Sequence, residues 1–299
     1  MPRKSTQDLE HILPARRHIA QQSDKLRFDC IWRDCWVNHP SVDSIRSAVR
    51  AVYAMPPISR AQCIVVSGVT GMGKTSLFEK IESDLSSLRK RHPESRGYVS
   101  FPLAPDPTLK SFEQAMGEAL GVPIGSIQNG LIPRSFSRLM HLRTMRIIMI
   151  DEIHDLLNAN KIEQRKFLSF CRAMTGPPLS LSIVAFGTQE AKHALVSDEQ
   201  LNSRFESYDL KPWQENEDFR SFLAAYESYL PLKKPSELWQ QEKVKLLLSA
   251  TAGVTDGIVK RIKRAAVWSI MSGKESIDLE SLQKAAYIPP FYDWKADEK

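Results

Sequence analysis

The chain has 299 residues, a length that suits about two domains. Its 42% apolar and 25% charged residues are typical of a soluble globular protein, and we find no internal repeat or low-complexity tract. A net charge of +6 permits nucleic-acid binding without requiring it. No apolar run approaches the length of a membrane span and no apolar core follows Met1, so we expect no signal peptide, no transmembrane helix and a cytoplasmic location.

The N-terminal part, residues 1–57, predicts a helical extension. Helical fragments at 11–20 and 42–53 flank a Trp-rich segment, and Pro56-Pro57 marks the end of the extension. Nearby Cys30, Cys35 and His39 match no zinc pattern because a fourth ligand is missing. No cysteine pair has C-x-x-C spacing, so we interpret all four cysteines as reduced, buried thiols.

A strand running into G-x-x-x-x-G-K-T, at residues 62–75, indicates a phosphate-binding loop. Glycines let successive backbone N–H groups and a helix N-terminus approach a polyphosphate. We expect this loop to bind ATP, with Lys74 reaching the β- and γ-phosphates and Thr75 ligating Mg²⁺. The predicted nucleotide-binding residues are Gly68, Val69, Thr70, Gly71, Met72, Gly73, Lys74, Thr75, Ser76 and Asp151.

Two carboxylates at the end of another buried strand, 146–150, supply the second half of the site. Four apolar residues, 147–150, lead directly into Asp151 and Glu152. Asp151 would hold the Mg²⁺ shell, and Glu152 would polarise the water that attacks the γ-phosphate. A kinase for a small metabolite must exclude water, so an acid placed to activate water favours an ATPase.

The same stretch also resembles the D-E-x-H box of two-lobed helicases. The Ser249-Ala250-Thr251 stretch that mimics another helicase motif lies far downstream, in a helical region. The chain is also short for two such lobes. We therefore interpret His154 as a residue at the start of the helix that follows the strand.

Strands and helices alternate from residue 58 to 212, which predicts an α/β nucleotide-binding domain with a parallel five-stranded sheet flanked by helices. The predicted strands are 62–67, 97–103, 146–150, 180–186 and 206–210. Residues 213–288 have apolar stripes at helical spacing, which predict a small all-helical lid domain, and residues 289–299 form a C-terminal tail. This order is the layout of an AAA+ P-loop ATPase.

Two further residues fit that layout. Thr188 follows the fourth predicted strand, where it would lie between the P-loop and Asp151 to sense the γ-phosphate or orient water; a simple strand-end turn is the alternative. Arg204 precedes the fifth strand, from where an arginine finger can reach a neighbouring subunit's nucleotide. A surface salt bridge is the competing interpretation of Arg204, and the finger assignment requires an oligomer.

Basic residues cluster in three places, which raises the case for DNA binding although each cluster alone is typical of a solvated face. The clusters are Arg89, Lys90, Arg91 and Arg96; Arg134, Arg138, Arg143 and Arg146; and Lys260, Arg261, Lys263 and Arg264.

At several motifs the chain resembles the TniB-like transposition ATPases, relatives of the TnsC regulators within the AAA+ superfamily. The matching segments are Ile12-Leu13-Pro14, residues 36–40, the P-loop, residues 150–154, residues 184–188 and residues 198–206. The resemblance implies a bacterial, ATP-dependent homo-oligomer, a ring or a helical filament, that binds double-stranded DNA without sequence preference. It also implies links to a TniQ-like adaptor and a DDE transposase (TniA-like), with hydrolysis driving release or remodelling.

The resemblance leaves some positions open. Lys110, Arg134 and the loop 128–134 are candidates for phosphate contacts to DNA, which would be salt-sensitive. Residues 253–258 lack the arginine that many AAA+ proteins use as a second nucleotide sensor, so Lys260 or Arg261 are the candidates there. Residues 36–45 are a candidate for contacting adenine.

Two other functions fit the same nucleotide site. A nucleotide-dependent signalling switch would use ATP to control protein contacts alone, and DNA would not stimulate its ATPase. A helicase loader would deliver a replicative helicase to single-stranded DNA.

Overall fold

The computed structural model describes residues 9–56, 58–91, 97–105, 107–121, 133–196 and 198–286. The chain divides into two compact units, Ser41–Lys211 and a second unit made of Met1–Pro40 with Pro212–Lys299. Arg96, residues 128–132 of the candidate DNA loop and the predicted tail 289–299 lie outside the described residues.

The first unit contains a five-stranded parallel sheet with the order β2-β3-β4-β1-β5. The strands are β1 (Cys63–Gly68), β2 (Gly97–Pro102), β3 (Met145–Asp151), β4 (Ser182–Gly187) and β5 (Phe205–Leu210). Every strand begins and ends within two residues of its predicted bounds. The predicted parallel five-stranded sheet flanked by helices is therefore confirmed.

Helices surround this sheet in one unit and make up the other. The helices of the chain are α1 (Asp24–Trp32), α2 (Pro40–Ala54), α3 (Lys74–Arg91), α4 (Leu109–Leu120), α5 (Arg134–Leu142), α6 (Lys161–Thr175), α7 (Gln189–Val196), α8 (Glu199–Asn202), α9 (Glu217–Glu227), α10 (Gln241–Thr251), α11 (Thr255–Met271) and α12 (Leu279–Lys284). Two 3₁₀ helices, Pro14–Gln21 and Ile153–Asn158, complete the described helical structure.

The central strands read as continuous apolar runs because both faces of the sheet are covered. Every residue of β1 and β4 is buried, as is every residue of β3 after Met145. Helix α4 covers part of one face, where the ring of Phe112 lies 5.3 Å from that of Phe101. The edge strand β5 is buried only at its two ends. The buried centre of the sheet therefore fixes the positions of the carboxyl ends of its strands.

In its described residues, 9–40 and 212–286, the second unit contains helices and no strand, as the sequence predicts for the C-terminal region. Helices α9, α10, α11 and α12 enclose an apolar cluster that includes Phe219, Leu223 and Ile262. Phe28 and Ile31 of α1 belong to the same cluster. The N-terminal extension expected over residues 1–57 is thus divided at Pro40: residues before it join the helical unit, and α2 joins the α/β unit.

A buried arginine fixes the N-terminal segment in the helical unit. The Arg27 side chain is 1% exposed, and its Nε and Nη2 donate to the carbonyl oxygen of Pro231 at 3.1 and 3.0 Å. Its Nη1 donates to Oε1 of Glu275 at 3.0 Å, and Nη2 also pairs with this carboxylate. Burial raises the pKa of Glu275, but hydrogen bonds from Arg27 and Lys233 outweigh that effect and lower it below its usual value.

Replacing this arginine tests the attachment. Arg27→Met leaves the Glu275 carboxylate largely buried, with Lys233 as its remaining cationic partner. The Lys233 side chain is 38% exposed. Removing one partner of a buried ion pair costs about 3–5 kcal/mol, so we expect a loss of that size in the free energy of unfolding, measured by urea denaturation. The control is Asp24→Asn, because Asp24 pairs with the same arginine but is 54% exposed. A loss no larger than the control's contradicts the prediction.

The same experiment has a pH dependence of known sign. Because the folded-state pKa of Glu275 is lowered, its stabilising contribution is complete above the usual glutamate value of 4.5. The contribution is lost as the pH falls through the lowered folded value. The stability difference between the wild type and Arg27→Met therefore narrows in that acidic range.

Candidate active site

The phosphate-binding loop connects the end of β1 to the start of α3. Gly71 and Gly73 have φ angles of +83° and +82°, a region that side-chain-bearing residues rarely adopt. A Cβ built on Gly73 would meet no atom within 4 Å, so glycine is required there by the backbone conformation and not by crowding. The loop thus turns tightly before α3, whose first N–H groups have no partner within the helix.

Gly68 is required for a different reason. It ends β1 opposite Leu210 of β5, and a Cβ on Gly68 would lie 2.8 Å from the carbonyl oxygen of Leu210. Such a separation is shorter than a Cβ contact allows, so β1 and β5 approach closely only because residue 68 has no side chain.

Lys74 lies folded over the loop that precedes it. Its Nζ donates to the carbonyl oxygens of Gly68 at 2.9 Å and Val69 at 3.1 Å, and the residue is 9% exposed. Burial lowers the pKa of Lys74, while the charges of Glu152 and Asp151 oppose the shift. The lysine therefore belongs to the same electrostatic centre as the two acids.

The remaining loop residues are more accessible. Val69, Thr70, Thr75 and Ser76 are exposed, and Met72 is buried. The Thr75 hydroxyl is therefore open at the first turn of α3. A hydroxyl and a carboxylate are the hard oxygen donors that Mg²⁺ accepts, and Mg²⁺ sites need few protein ligands because waters and phosphates supply the rest. Thr75 and Asp151 fit that donor set.

The two acids at the end of β3 occupy different environments. Asp151 is 5% exposed, and its Oδ1 accepts the backbone N–H of Glu152 at 2.9 Å. Glu152 adopts a left-handed conformation with φ of +55°, which costs on the order of 1–3 kcal/mol for a residue with a side chain. The Glu152 side chain is 42% exposed, with Oε2 lying 3.0 Å from Nδ1 of His154. The strained turn thus separates a buried acid from one that water reaches.

Thr188 lies between the P-loop and Asp151, since β4 lies between β1 and β3 in the sheet. Its Oγ1 accepts the N–H of Ala191 at 3.4 Å, so the residue also caps the start of α7. A Cβ on the preceding Gly187 would come within 2.5 Å of the Ile153 side chain and 3.3 Å of the His154 nitrogen. The turn after β4 is therefore packed directly against the turn that follows Asp151.

Asp209, near the end of β5, was not among the sequence-predicted site residues. Its carboxylate accepts hydrogen bonds from the Ser67 hydroxyl, from Gln189 Nε2 at 3.1 Å and from Lys192 Nζ at 2.9 Å. Ser67 immediately precedes the P-loop, and Gln189 immediately follows Thr188. An acid at the carboxyl end of a strand of a parallel sheet was the available sequence signal.

Arg204 lies at the amino ends of the strands, opposite the end that carries the P-loop. Its carbonyl oxygen accepts the N–H of Cys63, the first residue of β1, at 2.8 Å. The P-loop begins at the other end of this strand, roughly 17 Å away at about 3.3 Å per residue. Arg204 therefore does not reach the phosphate loop of its own chain.

The partners of Arg204 are uncharged groups. Its Nη1 donates to the carbonyl oxygen of Arg172 at 3.2 Å and to the Thr175 hydroxyl, while its Nε is buried without a partner among the described residues. The side chain lines a pocket of about 400 Å³. The other lining residues are Arg60, Glu199, Gln200 and Ser203.

Two of the clustered basic residues are buried and hydrogen-bonded within the fold. Arg146 is 1% exposed and donates to the carbonyl oxygens of Val52 at 3.3 Å and Ser180 at 2.7 Å. Lys263 is buried and donates to the Trp32 carbonyl oxygen at 3.1 Å. These residues are therefore not part of a solvated basic face.

The candidate DNA contacts differ from the candidate second sensors in how far they are paired. Lys110 and Arg134, the candidate DNA contacts, are exposed at the first turns of α4 and α5. Lys260 pairs with Asp256 at 2.7 Å, and Arg261 donates to the Leu282 carbonyl oxygen at 2.9 Å. Both candidates for a second sensor thus have partners within the helical unit.

The stretch that lacks a second-sensor arginine has a packing role. Gly253 has a φ of +72°, and a Cβ there would lie 2.4 Å from the carbonyl oxygen of Trp213. Trp213 stacks on Phe222 with 4.8 Å between ring centroids, and its Nε1 donates to the Thr255 hydroxyl at 3.0 Å. His39, from the segment considered for adenine, contacts the same tryptophan edge-on at 4.7 Å.

Cysteine and metal chemistry is limited in the described part of the chain. All four cysteines are free, and burial raises the pKa of Cys63 to about 12. No group of three or more His, Cys, Asp or Glu side chains among the described residues could hold a metal ion. None of the described helices is both long and apolar enough to span a membrane.

Comparison with known proteins identifies both a family and a fold. The family profile described as "Bacterial TniB protein" matches residues 27–215. No curated protein sequence matches the chain.

Solved structures of similar fold include three ORC structures. The ORC2 protein of Aeropyrum pernix, in ADPNP and ADP complexes, has a TM-score of 0.61 and 13% identity, over 86% of this chain and 70% of that chain. Drosophila ORC bound to DNA has a TM-score of 0.60 and 14% identity, over 95% of this chain and 68% of that chain. The Aeropyrum pernix ORC1 protein in complex with DNA has a TM-score of 0.57 and 16% identity, over 87% and 68%. These similarities confirm the predicted AAA+ fold.

The close approach at Gly68 can be tested with one methyl group. Gly68→Ala forces the ends of β1 and β5 apart, and overpacking of this kind typically costs about 1–3 kcal/mol. We expect that loss in urea denaturation, together with weakened nucleotide binding, because the loop begins at this residue. Gly176→Ala is the matched control, since its nearest atom would lie at an ordinary 3.4 Å. Equal effects of the two substitutions would show that the approach is unimportant.

Proposed function

The chain belongs to the TniB family of bacterial proteins, and from this membership we propose that it is an Mg²⁺-dependent ATPase that assembles on duplex DNA to regulate transposition. The observation that carries the proposal is the position of Lys74. Its ammonium lies inside a glycine-shaped loop, within the electrostatic reach of Asp151 and Glu152. On an AAA+ sheet, this combination supports ATP hydrolysis.

The phosphates and Mg²⁺ would be bound by residues of the loop, of α3 and of β3. ATP phosphates would take the place of the Gly68 and Val69 carbonyl oxygens as partners of Lys74, aided by the N–H groups of the loop and of α3. Asp151 and Thr75 would hold Mg²⁺, which supplies charge neutralisation at the phosphates when bound. The residues that would cradle the phosphates in this proposal are Gly68, Val69, Thr70, Gly71, Met72, Gly73, Lys74, Thr75 and Ser76.

Water activation falls to Glu152. Its partly exposed carboxylate accepts a proton from the attacking water or orients that water, whereas the buried Asp151 does not face bulk solvent. Thr188, on the strand between the two halves of the site, orients the water or contacts the γ-phosphate. An acid open to water is what a hydrolase needs and what a kinase excludes.

Arg204 acts between subunits in this proposal. It cannot reach its own phosphate loop, because it lies beside the first residue of β1 and the loop begins at the last. Its side chain is only partly buried and lines a pocket, from which the guanidinium would reach a neighbouring subunit's nucleotide. Assembly as a ring or a helical filament would therefore complete each site.

The proposed partners follow from family membership. Lys110 and Arg134 are exposed at helix starts and suit sequence-independent phosphate contacts with double-stranded DNA. The DNA-bound ATP form would connect a TniQ-like adaptor to a TniA-like DDE transposase, and hydrolysis would release or remodel the assembly. DNA-bound proteins among the structures of similar fold are compatible with this proposal.

Two substitutions test nucleotide gating of DNA assembly. Lys74→Ala removes the phosphate partner, so we expect no ATP binding and no DNA-bound assembly. Glu152→Gln keeps the shape of the site but cannot take a proton, so ATP binding persists and DNA-bound assemblies last longer. The measurement is sedimentation on duplex DNA with ATP, ADP, a slowly hydrolysed analogue or no nucleotide.

The control for the lysine is Lys245→Ala, an exposed lysine on α10 outside the α/β unit. Normal assembly by Lys74→Ala would refute gating by nucleotide. ATP binding and hydrolysis without any assembly on duplex DNA at low salt would instead favour the signalling switch.

Mixing two inactive variants tests whether Arg204 acts in trans. Arg204→Ala alone should lose about 10³-fold or more in ATPase rate, as expected for a finger. Mixed with Glu152→Gln, it should regain activity, because subunits with an intact Glu152 then receive Arg204 from their neighbours. Each variant alone is the control. An Arg204→Ala protein with wild-type activity, or a mixture as inactive as its components, contradicts the assignment.

A further inference from the structure

A single carboxylate connects the separate parts of the candidate site. Asp209 accepts hydrogen bonds from the Ser67 hydroxyl and from Gln189 Nε2, the latter at 3.1 Å. Lys192 Nζ donates to both carboxylate oxygens of Asp209, at 2.9 and 3.1 Å. These donors come from β1 and from the first turn of α7. Asp209 itself lies on β5, so three elements meet at one side chain.

The charge of Asp209 suits this role. Its side chain is 30% exposed. Burial raises the pKa of Asp209, but hydrogen bonds from Ser67, Lys192 and Gln189 outweigh that effect and lower it below the usual value. The carboxylate is therefore ionised at neutral pH and acts only as an acceptor.

The sheet does not need this side chain to keep its strands together. Backbone pairing between β1 and β5 runs in register from Cys63–Phe205 to Gly68–Leu210. Ser67 pairs with Asp209 on one side and with Gly187 of β4 on the other. The Asp209 side chain instead adds contacts to α7, which begins directly after Thr188.

We propose that Asp209 is a positioning residue. It holds the turn of residues 187–189, the Thr188 turn, at a set distance from the P-loop, so that Thr188 meets the γ-phosphate and the attacking water. This inference rests on the proposed ATPase function. It assigns to Asp209 an effect on the hydrolytic step alone. ADP has no γ-phosphate, so its binding does not depend on the position of Thr188.

The test compares Asp209→Asn with Glu206→Gln. Asparagine can still accept from Ser67 but loses the charge that holds Lys192. Glu206 lies on the same strand, is exposed and pairs with the Tyr208 hydroxyl at 2.7 Å, away from the site. The measurements are kcat and KM for ATP, the Kd of fluorescent ADP and the melting temperature.

We expect Asp209→Asn to lower kcat by about 10- to 100-fold, the range associated with small misplacement of a catalytic group. The Kd for ADP and the melting temperature should stay at the values of Glu206→Gln. Lys192→Met should lower kcat in the same way, and Lys192→Arg, which restores a cation, should recover most of it. The double variant Asp209→Asn/Lys192→Met should be no worse than either single variant, because both remove one interaction.

The outcomes separate this inference from the function on which it rests. If the wild type binds no nucleotide, the proposed ATPase and the role of Asp209 both fail. If the wild type hydrolyses ATP but Asp209→Asn has the kcat of Glu206→Gln, only the positioning role fails. A fall in kcat matched by weaker ADP binding or a lower melting temperature would also overturn it, since that result indicates a structural role.

Discussion

Parallel pairing of β3, β4 and β1 is the constraint on which the rest of the structure depends. Parallel strands bring their carboxyl ends to one edge of the sheet, so segments far apart in the chain become neighbours there. The P-loop, Asp151 and Thr188 each directly follow or end one of these strands. Continuous burial of the three strands keeps their ends in register, because a shift would expose apolar residues or bury polar ones.

Close contacts at this edge limit what each position accepts. Gly68 permits β5 to approach β1, and Gly187 permits the turn after β4 to pack against Ile153. The left-handed backbone of Glu152 is strained, and such strain persists only where surrounding packing holds it. The geometry of the two acids is thus maintained by the packing around them and not by local preference alone.

Electrostatics at the same edge follows from burial. Lys74 is largely removed from water, which disfavours its charge, while Asp151 and Glu152 favour it. Hydrogen bonds from donors on β1 and α7 lower the pKa of Asp209. Charged groups in this edge are therefore held by specific partners, and substitution of one partner changes the position or charge state of the others. In the helical unit, Glu275 is likewise held by a specific partner, Arg27, at a site for which no chemistry is proposed.

The sequence by itself determined the order and type of the strands, the P-loop and the acids, because these features are local. Apolar runs, glycine spacing and the residues at strand ends carry their own signal, and the strands lie within two residues of their predicted bounds. Tertiary structure alone decided which basic residues are buried, so that Arg146 became a structural residue although its neighbours in sequence include exposed arginines. It also decided that residues 9–40 belong with the C-terminal helices and that Asp209 meets Ser67, Gln189 and Lys192. Those outcomes depend on contacts between residues distant in the chain, and local patterns of polarity and spacing do not encode the partner of a long-range contact.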